Sequence, residues 1–207
     1  MKKIMFNDKF QLTQAVLEGR KTQTRRIIPK DFFSLTWDKR DDTLVYENSM
    51  GDFIDIRNSK YALCKAGEIV AVAQSYNSFY NDECNPNLFP NGAGWTNKMY
   101  VKPELMPHQI RITNVRAERL QDISDEDCLK EGIEQLPYGG NLKPYAFYDN
   151  SIRIKSDSEG VFYGWYRSFD TPREAYAALI DKVSGKGTWE SNPYVFVYDF
   201  VLVKKWK

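Results

Sequence analysis

Residues 194–206 read YVFVYDFVLVKKW, and every position from 194 to 203 except Asp199 carries an apolar or aromatic side chain. A strand with one face in water alternates apolar and polar residues, whereas a strand covered on both faces is apolar almost throughout. The run therefore predicts a strand that is buried on both sides.

The segment before this strand, TPREAYAALIDKVSG at residues 171–185, has the features of a helix. Thr171 and Glu174 match a capping box, and Pro172 occupies the first turn. Four apolar residues share one helical face: Tyr176, Leu179, Ile180 and Val183. This pattern predicts a helix over the segment.

Upstream, the chain predicts several strands and two further short helices. One helix covers about residues 9–18 and is capped by Asn7 or Asp8, and the other is SDEDCLKEG, capped by Ser124 and ended by Gly132. Strands are predicted where β-branched and apolar residues dominate: KIMF, KTQTRRII, both halves of SLTWDKRDDTLVYEN, AGEIVAVAQSY and QIRITNVRAERL.

Two long stretches, at about residues 77–108 and 135–160, are rich in turn-forming residues and are predicted as irregular insertions. Scattered short strands, few helices and little βαβ alternation predict an α+β fold, built as a β-barrel or a curled sheet. A chain of 207 residues is most often one domain, so we expect a single domain over residues 1–207.

Composition excludes several classes of function. Lys and Arg number 29 against 28 Asp and Glu, so an anionic partner must be met by a local patch rather than by the overall charge. His108 is the only histidine, which leaves little room for Ser-His-Asp or Cys-His catalysis or for a multi-His metal centre. We therefore expect no metal and no cofactor.

The cysteines and the hydropathy indicate where the protein works. Cys64, Cys84 and Cys128 are widely spaced and odd in number, which disfavours a zinc knuckle and fits reduced thiols. No stretch approaches the roughly 18 consecutive apolar residues of a membrane span. We expect a cytoplasmic protein with no membrane partner.

One local patch stands out in this nearly neutral chain. The sequence GRKTQTRR, residues 19–26, gathers four cationic and two threonine side chains: Arg20, Lys21, Thr22, Thr24, Arg25 and Arg26. It follows the glycine that ends the first predicted helix, where a cluster of cations often complements the helix dipole. The alternative interpretation is a binding or catalytic site.

Four separated segments together resemble the ASCH domain family of the PUA-like superfamily, in its prophage-associated branch. They are VLEGRKTQTRRI, AGEIVAVAQSY, RITNVRAERLQDISDEDCLKEGI and LIDKVSGKGTWESNPYVFVYDF, and they follow the family order along nearly the whole chain. The resemblance implies a small PUA-like β-barrel with flanking short helices and a cleft lined by GRKTQTRR.

Three functions stay open, and the resemblance implies the first two. ASCH domains are proposed to bind RNA or a modified nucleotide, which the basic cleft would serve. One more distant branch of the family consists of amidohydrolases that remove the acyl group of N4-acetylcytidine. A third possibility is a phage-encoded module that binds a phage or host protein through the two long insertions, since long loops often carry function.

For the amidohydrolase, the resemblance carries over three catalytic residues: Lys21, Thr24 and Glu131. Threonine is a weak nucleophile that needs an adjacent base, and the Lys21 amine is the base that the motif offers. Glu131 would protonate the departing amine, while a cation of the cluster, Arg20, Arg25 or Arg26, would stabilise the oxyanion.

Further substrate contacts are predicted within the cluster and at aromatic residues elsewhere in the chain. Thr22 lies between the cations, and aromatic residues such as Tyr76, Trp95 and Trp189 could stack on a base. Trp189 and Asn192 belong to the family segment GTWESNP, which would look the same if it served only to pin the final strand.

Strand geometry places a condition on this site. On a regular strand Thr22, Thr24 and Arg26 would face one side while Lys21 and Arg25 faced the other. Lys21 and Thr24 can share a cleft only if a bulge or a turn intervenes, and the glycine at position 19 makes a bend reasonable.

Overall fold

The structure, a computed structural model, describes residues 1–29, 35–38, 43–79, 92–136, 144–155, 161–165 and 168–203. The strands in these ranges are β1 Lys3–Ile4, β2 Gln23–Ile27, β3 Leu35–Asp38, β4 Thr43–Glu47, β5 Phe53–Asp55, β6 Ile69–Val72, β7 Gln109–Arg119, β8 Glu134–Gln135, β9 Tyr145–Ala146, β10 Tyr148–Lys155, β11 Val161–Trp165 and β12 Tyr194–Val203. The α-helices are α1 Leu12–Leu17, α2 Asp125–Lys130, α3 Pro172–Ser184 and α4 Thr188–Ser191.

The central sheet has five strands in the order β1-β6-β7-β12-β2. β1 and β6 are parallel, and the other pairs are antiparallel. The apolar strand β12 lies between β7 and β2, and its consecutive residues Phe196, Val197 and Tyr198 are all buried. Because neighbouring residues point to opposite faces, both faces of β12 are covered, as its sequence predicts.

Three smaller sheets accompany the central one: β3-β4-β5, β8-β9 and β10-β11. A multi-strand sheet with few helices agrees with the predicted mixture of strands and helices. Among the described residues no ladder joins the two edge strands, β1 and β2, so these strands do not form a closed barrel. Nor does any helix in the described ranges combine the length and the apolar character needed to cross a bilayer.

Two helix predictions are confirmed at their N-termini. The Ser124 hydroxyl accepts a hydrogen bond from the Asp127 amide at 3.2 Å, and the Thr171 hydroxyl accepts one from the Glu174 amide at 3.2 Å. Each hydroxyl satisfies an amide that the first helical turn leaves unpaired. These caps fix where α2 and α3 begin, and both helices contribute residues to the site described below.

The first helix is shorter than predicted, and its cap is different. α1 starts at Leu12 rather than near residue 9, and its N-cap is Gln11 in a left-handed conformation with φ of 52°. The Asn7 side chain instead accepts a hydrogen bond from the Lys9 amide at 3.0 Å. This local bond forms a turn before the helix, because asparagine competes well for nearby backbone amides.

The two predicted insertions differ from each other. In the first, the described residues 92–108 contain only turns and short 3-10 helices such as Pro103–Leu105. The second is not wholly irregular, because residues 148–155 form β10, which pairs with β11. Residues 80–91, 137–143 and 156–160 of these insertions, with Cys84, lie outside the described residues. Cys64 and Cys128 are buried free thiols.

Candidate active site

The chain turns sharply between α1 and β2, and this turn positions Lys21. Gly19 adopts a φ of +77°, which glycine tolerates without the steric cost of a side chain. The Lys21 amide then donates to the carbonyl of Ala15 at 2.9 Å, and β2 begins only at Gln23. Because Lys21 precedes the strand, strand alternation does not separate it from Thr24.

Lys21 and Thr24 line the same cavity, whose volume is 390 Å³. Its polar lining also includes Arg25, Arg26 and Glu131, and α3 closes one side with Tyr176 and apolar side chains. The required turn is therefore present, and five of the ten candidate site residues share one cavity: Lys21, Thr24, Arg25, Arg26 and Glu131.

Lys21 and Glu131 form a buried ion pair in the cavity wall. Lys21 Nζ donates to Glu131 Oε2 at 2.5 Å and to the Glu131 carbonyl at 2.7 Å, and the two side chains are 1% and 5% exposed. Burial lowers the pKa of Lys21 below its ordinary value, although the charge of Glu131 opposes the shift. The amine is thus held in place by two acceptors of one residue.

The end of α2 places Glu131 beside the amine. Glu131 is the C-cap of α2, and Gly132 follows with φ of +102°, a conformation that residues with side chains rarely adopt. A Cβ at Gly132 would meet Leu12 Cδ2 at 3.1 Å. Glycine therefore allows both the tight turn and the close approach of α2 to α1.

Arg25 is buried at the centre of a cluster of carboxylates. Its guanidinium donates to Glu118 Oε1 at 2.6 Å, to Asp127 Oδ2 at 3.1 Å and to Glu131 Oε1 at 3.1 Å, and its side chain is 1% exposed. Burial alone would lower the pKa of Arg25, but Glu131 and the other anionic partners outweigh it and raise the pKa. The guanidinium stays charged and fixes the position of Glu131.

The cluster continues away from the cavity. Arg116 donates to Glu118 at 3.0 Å, to Asp127 at 2.5 Å and to Asp199 at 2.8 Å, and Lys130 donates to Asp127 at 2.9 Å. In the part of the chain that the structure describes, this network joins four cations, Lys21, Arg25, Arg116 and Lys130, to four carboxylates, Glu118, Asp127, Glu131 and Asp199. Its charge is balanced.

Asp127 belongs to this network rather than only to the first turn of α2. Burial would raise the pKa of its carboxyl group, but the surrounding donors Lys130, Arg116 and Arg25 lower it to about 2. Asp127 also lies in the first turn of α2, where a negative charge is favourable, but the sequence gives no sign of these three cationic partners.

Arg26 differs from the other cations of the cavity. Its Nη2 donates to the Met5 carbonyl at 2.7 Å, and its guanidinium lies 5.9 Å from the centre of the Phe6 ring. Burial lowers the pKa of Arg26. Among the described residues no carboxylate forms a direct ion pair with Arg26, and the charge of Glu131 only partly opposes the effect of burial on its pKa.

Arg20 and Thr22 do not line this cavity. Arg20 is a surface residue that pairs with Glu18 at 2.6 Å and with Glu134. The Thr22 amide donates to the Lys130 carbonyl at 3.0 Å, and its carbonyl accepts from the Phe200 amide at 2.9 Å. The predicted substrate contacts by Arg20 and Thr22 thus have no support in the cavity, because these residues tie the segment to its neighbours.

The predicted aromatic contacts also lie elsewhere. Tyr76 is fully buried in a separate apolar cluster with Val101 and Met106, and its hydroxyl accepts from the Lys102 amide at 2.8 Å. Trp95 lies in a turn next to this cluster, where its carbonyl accepts a hydrogen bond from the Asn77 amide, and it does not line the cavity.

Trp189 and Asn192 form contacts that fix the loop before β12. The Trp189 amide donates to Asp181 Oδ1 at 2.8 Å, and the Asn192 side chain accepts from the Gln121 amide at 2.9 Å. Trp189 also packs against Tyr176 with their ring centres 6.2 Å apart. These contacts match the alternative in which GTWESNP holds the final strand in place. Trp189 does not line the cavity, but it contacts Tyr176, which does.

Sequence reasoning missed three residues of the site: Arg116, Glu118 and Tyr176. Arg116 and Glu118 are two positions apart on β7, so their side chains share one face, and their opposite charges are an available signal of a network. Tyr176 was assigned to the apolar face of α3, and its position on that face gives no sign of the polar cavity.

Comparison of the chain with protein-family models, with curated proteins and with solved structures gave no match.

Proposed function

We propose that this chain is an amidohydrolase that removes an acyl group from a small nucleoside-type substrate bound in the 390 Å³ cavity. One observation carries the proposal: Lys21 and Glu131 form a buried pair, at 2.5 Å, and both line the same cavity as Thr24. A nucleophile, a base and a proton donor are what an amide hydrolysis requires.

The Lys21–Glu131 pair suits both halves of this reaction because it holds one proton between two groups. When the proton lies on Glu131, the Lys21 amine is a free base and the Glu131 carboxyl group is an acid. The lowered pKa of the buried lysine favours this transfer.

In the first half-reaction, Thr24 Oγ1 attacks the carbonyl carbon of the amide and its proton moves to Lys21 Nζ. Arg26, which lines the same cavity as Thr24 and forms no direct ion pair with a carboxylate of the described residues, would stabilise the oxyanion that forms. The C–N bond then breaks, Glu131 gives its proton to the departing amine, and the acyl group remains on Thr24 as an ester.

In the second half-reaction, water attacks the ester. Its proton is taken by the Lys21–Glu131 pair and returned to Thr24 as the C–O bond breaks, which releases the carboxylic acid. The threonine and the pair are then in their starting state.

The charge of the cavity favours a neutral small molecule over a polyanion. Lys21 and Arg25 face carboxylates within 3.1 Å, and Arg20 is paired at the surface. Phosphate binding depends on cations that are free to replace counterions. The paired charges therefore give less support to the RNA-binding alternative than the sequence alone suggests.

The size of the cavity and the family resemblance indicate the substrate class. A volume of 390 Å³ lies in the usual range of roughly 300–1,000 Å³ for small-ligand pockets. The GRKTQTRR segment resembles that of ASCH amidohydrolases, so N4-acetylcytidine is the first substrate to test. We further propose that the five-stranded sheet corresponds to the curled sheet of a PUA-like ASCH domain.

The test is to incubate purified protein with N4-acetylcytidine and to follow release of cytidine by chromatography. The proposal expects turnover that saturates with substrate. A parallel titration with single-stranded RNA at two salt concentrations measures the alternative. Salt-sensitive RNA binding without hydrolysis of any acylated nucleoside would replace the amidohydrolase with an RNA-binding module.

The pH profile of kcat/KM is expected to be bell-shaped, because the pair must hold one proton. In the ion pair this proton rests on Lys21. When it is lost at alkaline pH, Glu131 has no proton to receive and give to the departing amine, so the rate falls. Burial lowers the pKa of Lys21, so this loss occurs below the ordinary lysine value of 10.5. Rates measured from pH 5 to pH 11 check this; a rate that still rises through 10.5 contradicts a buried, paired base.

A further inference from the structure

Two buried polar atoms in this protein lack a partner. Among the buried side-chain nitrogen and oxygen atoms of the described residues, only Arg26 Nε and the Tyr176 hydroxyl form no hydrogen bond. Buried polar groups in folded proteins nearly always have a partner, and each exception calls for an explanation. Both residues line the 390 Å³ cavity, so the two exceptions coincide at one place.

The ring of Tyr176 is held firmly, which leaves its hydroxyl as the feature without a structural role. Tyr176 lies on α3 and is 2% exposed. Its ring packs edge-on against Trp189 at 6.2 Å, and the Arg25 guanidinium lies 6.0 Å from its centre. A phenylalanine would make the same ring contacts, so packing alone does not explain why the residue is a tyrosine.

We propose that the Tyr176 hydroxyl donates a hydrogen bond to an acceptor on the base of the bound nucleoside, and that Arg26 Nε supplies a second donor. This inference rests on the proposed function, and it names the part of the substrate that the site recognises. Two donors select a base that presents two acceptors, as cytosine does with its carbonyl oxygen and its unprotonated ring nitrogen.

The surroundings of Tyr176 keep it in the donor state. Burial, with a contribution from the Glu131 charge, raises the pKa of Tyr176 well above its ordinary value. The hydroxyl therefore keeps its proton throughout the pH range in which the enzyme would be assayed. A site with an unpaired buried donor discriminates strongly against a ligand that has no acceptor at that point.

A matched pair of variants separates recognition from a structural role. Tyr176→Phe removes a hydroxyl without a partner, whereas Tyr198→Phe removes a buried hydroxyl that accepts a hydrogen bond from the Leu63 amide at 2.8 Å. Removing one partner of a buried hydrogen bond is destabilising, but removing an unpaired group is not. Only Tyr198→Phe is therefore expected to lower the midpoint of thermal unfolding.

The binding readout uses N4-acetylcytidine and cytidine as probes. For Tyr176→Phe we expect KM for N4-acetylcytidine and Kd for cytidine to rise about tenfold, while the unfolding midpoint is equal to or above that of the wild-type protein. Unchanged KM and Kd, or a midpoint that falls as in Tyr198→Phe, would overturn the role of Tyr176. A wild-type protein that neither binds nor hydrolyses either probe refutes the proposed function itself.

Discussion

Replacing Thr24 with valine is expected to lower kcat/KM for N4-acetylcytidine by at least about 10³-fold, because the variant lacks the attacking oxygen. Thr24→Ser keeps a hydroxyl in the same wall of the cavity, and we expect its rate to stay within about tenfold of the wild-type rate. Both rates are measured by release of cytidine under saturating and limiting substrate.

The thermal unfolding of each variant serves as the control for these rates. Thr24 is buried in β2 opposite Tyr198, so a loss of activity counts only if the variant is folded at the assay temperature. A folded Thr24→Val protein with the wild-type rate would show that Thr24 is not the nucleophile. In that case the Lys21–Glu131 pair would activate water directly.

Replacing Arg25 with alanine is expected to destabilise the fold by about 3–5 kcal/mol, because it removes the buried cation that three largely buried carboxylates share. Three acidic residues lose a partner: Glu118, Asp127 and Glu131. The free energy of unfolding is measured by denaturant titration at neutral pH.

Arg20→Ala is the matched control, since Arg20 lies in the same segment and also forms ion pairs. Its side chain is 37% exposed, so we expect a change of at most about 1 kcal/mol. Equal effects of the two substitutions would contradict the buried network.

The deficit of Arg25→Ala should also shrink in acid. The pKa of Asp127 is lowered to about 2, so its ionised form stabilises the fold above its unfolded pKa of about 3.9, and this contribution is lost as the pH falls through 2. Arg25 is one of the charges that lower this pKa. The difference between wild type and Arg25→Ala is therefore largest at neutral pH and smaller below pH 4.

The strand and helix pattern near the site could be predicted because local rules determine it. The unbroken apolar run of β12 requires cover on both faces, and the hydroxyls of Ser124 and Thr171 cap α2 and α3. The start of α1 could not be predicted. Asn7 caps a turn at Lys9 instead of the helix, and Gln11 adopts a left-handed conformation that its residue type does not signal.

The grouping of Lys21, Thr24 and Glu131 followed from the motif and from a turn at Gly19, not from strand periodicity. The charges at the site were less predictable. A sequence presents Arg20 and Arg25 as equivalent cations, but strand pairing brings Arg25 against Glu118 from β7 and leaves Arg20 at the surface. Contacts between residues more than ninety positions apart decide whether a cation is free to bind a ligand.

The central claim is that the acyl group passes through a covalent ester on Thr24. The direct measurement is to quench the wild-type protein with acid during turnover of N4-acetylcytidine, digest it with a protease, and measure the mass of the peptide that contains Thr24 by mass spectrometry. We predict that this peptide carries one additional acyl group, which is absent in Thr24→Val. Release of cytidine with the acyl group found on another residue, or with the same adduct in Thr24→Val, would contradict the account.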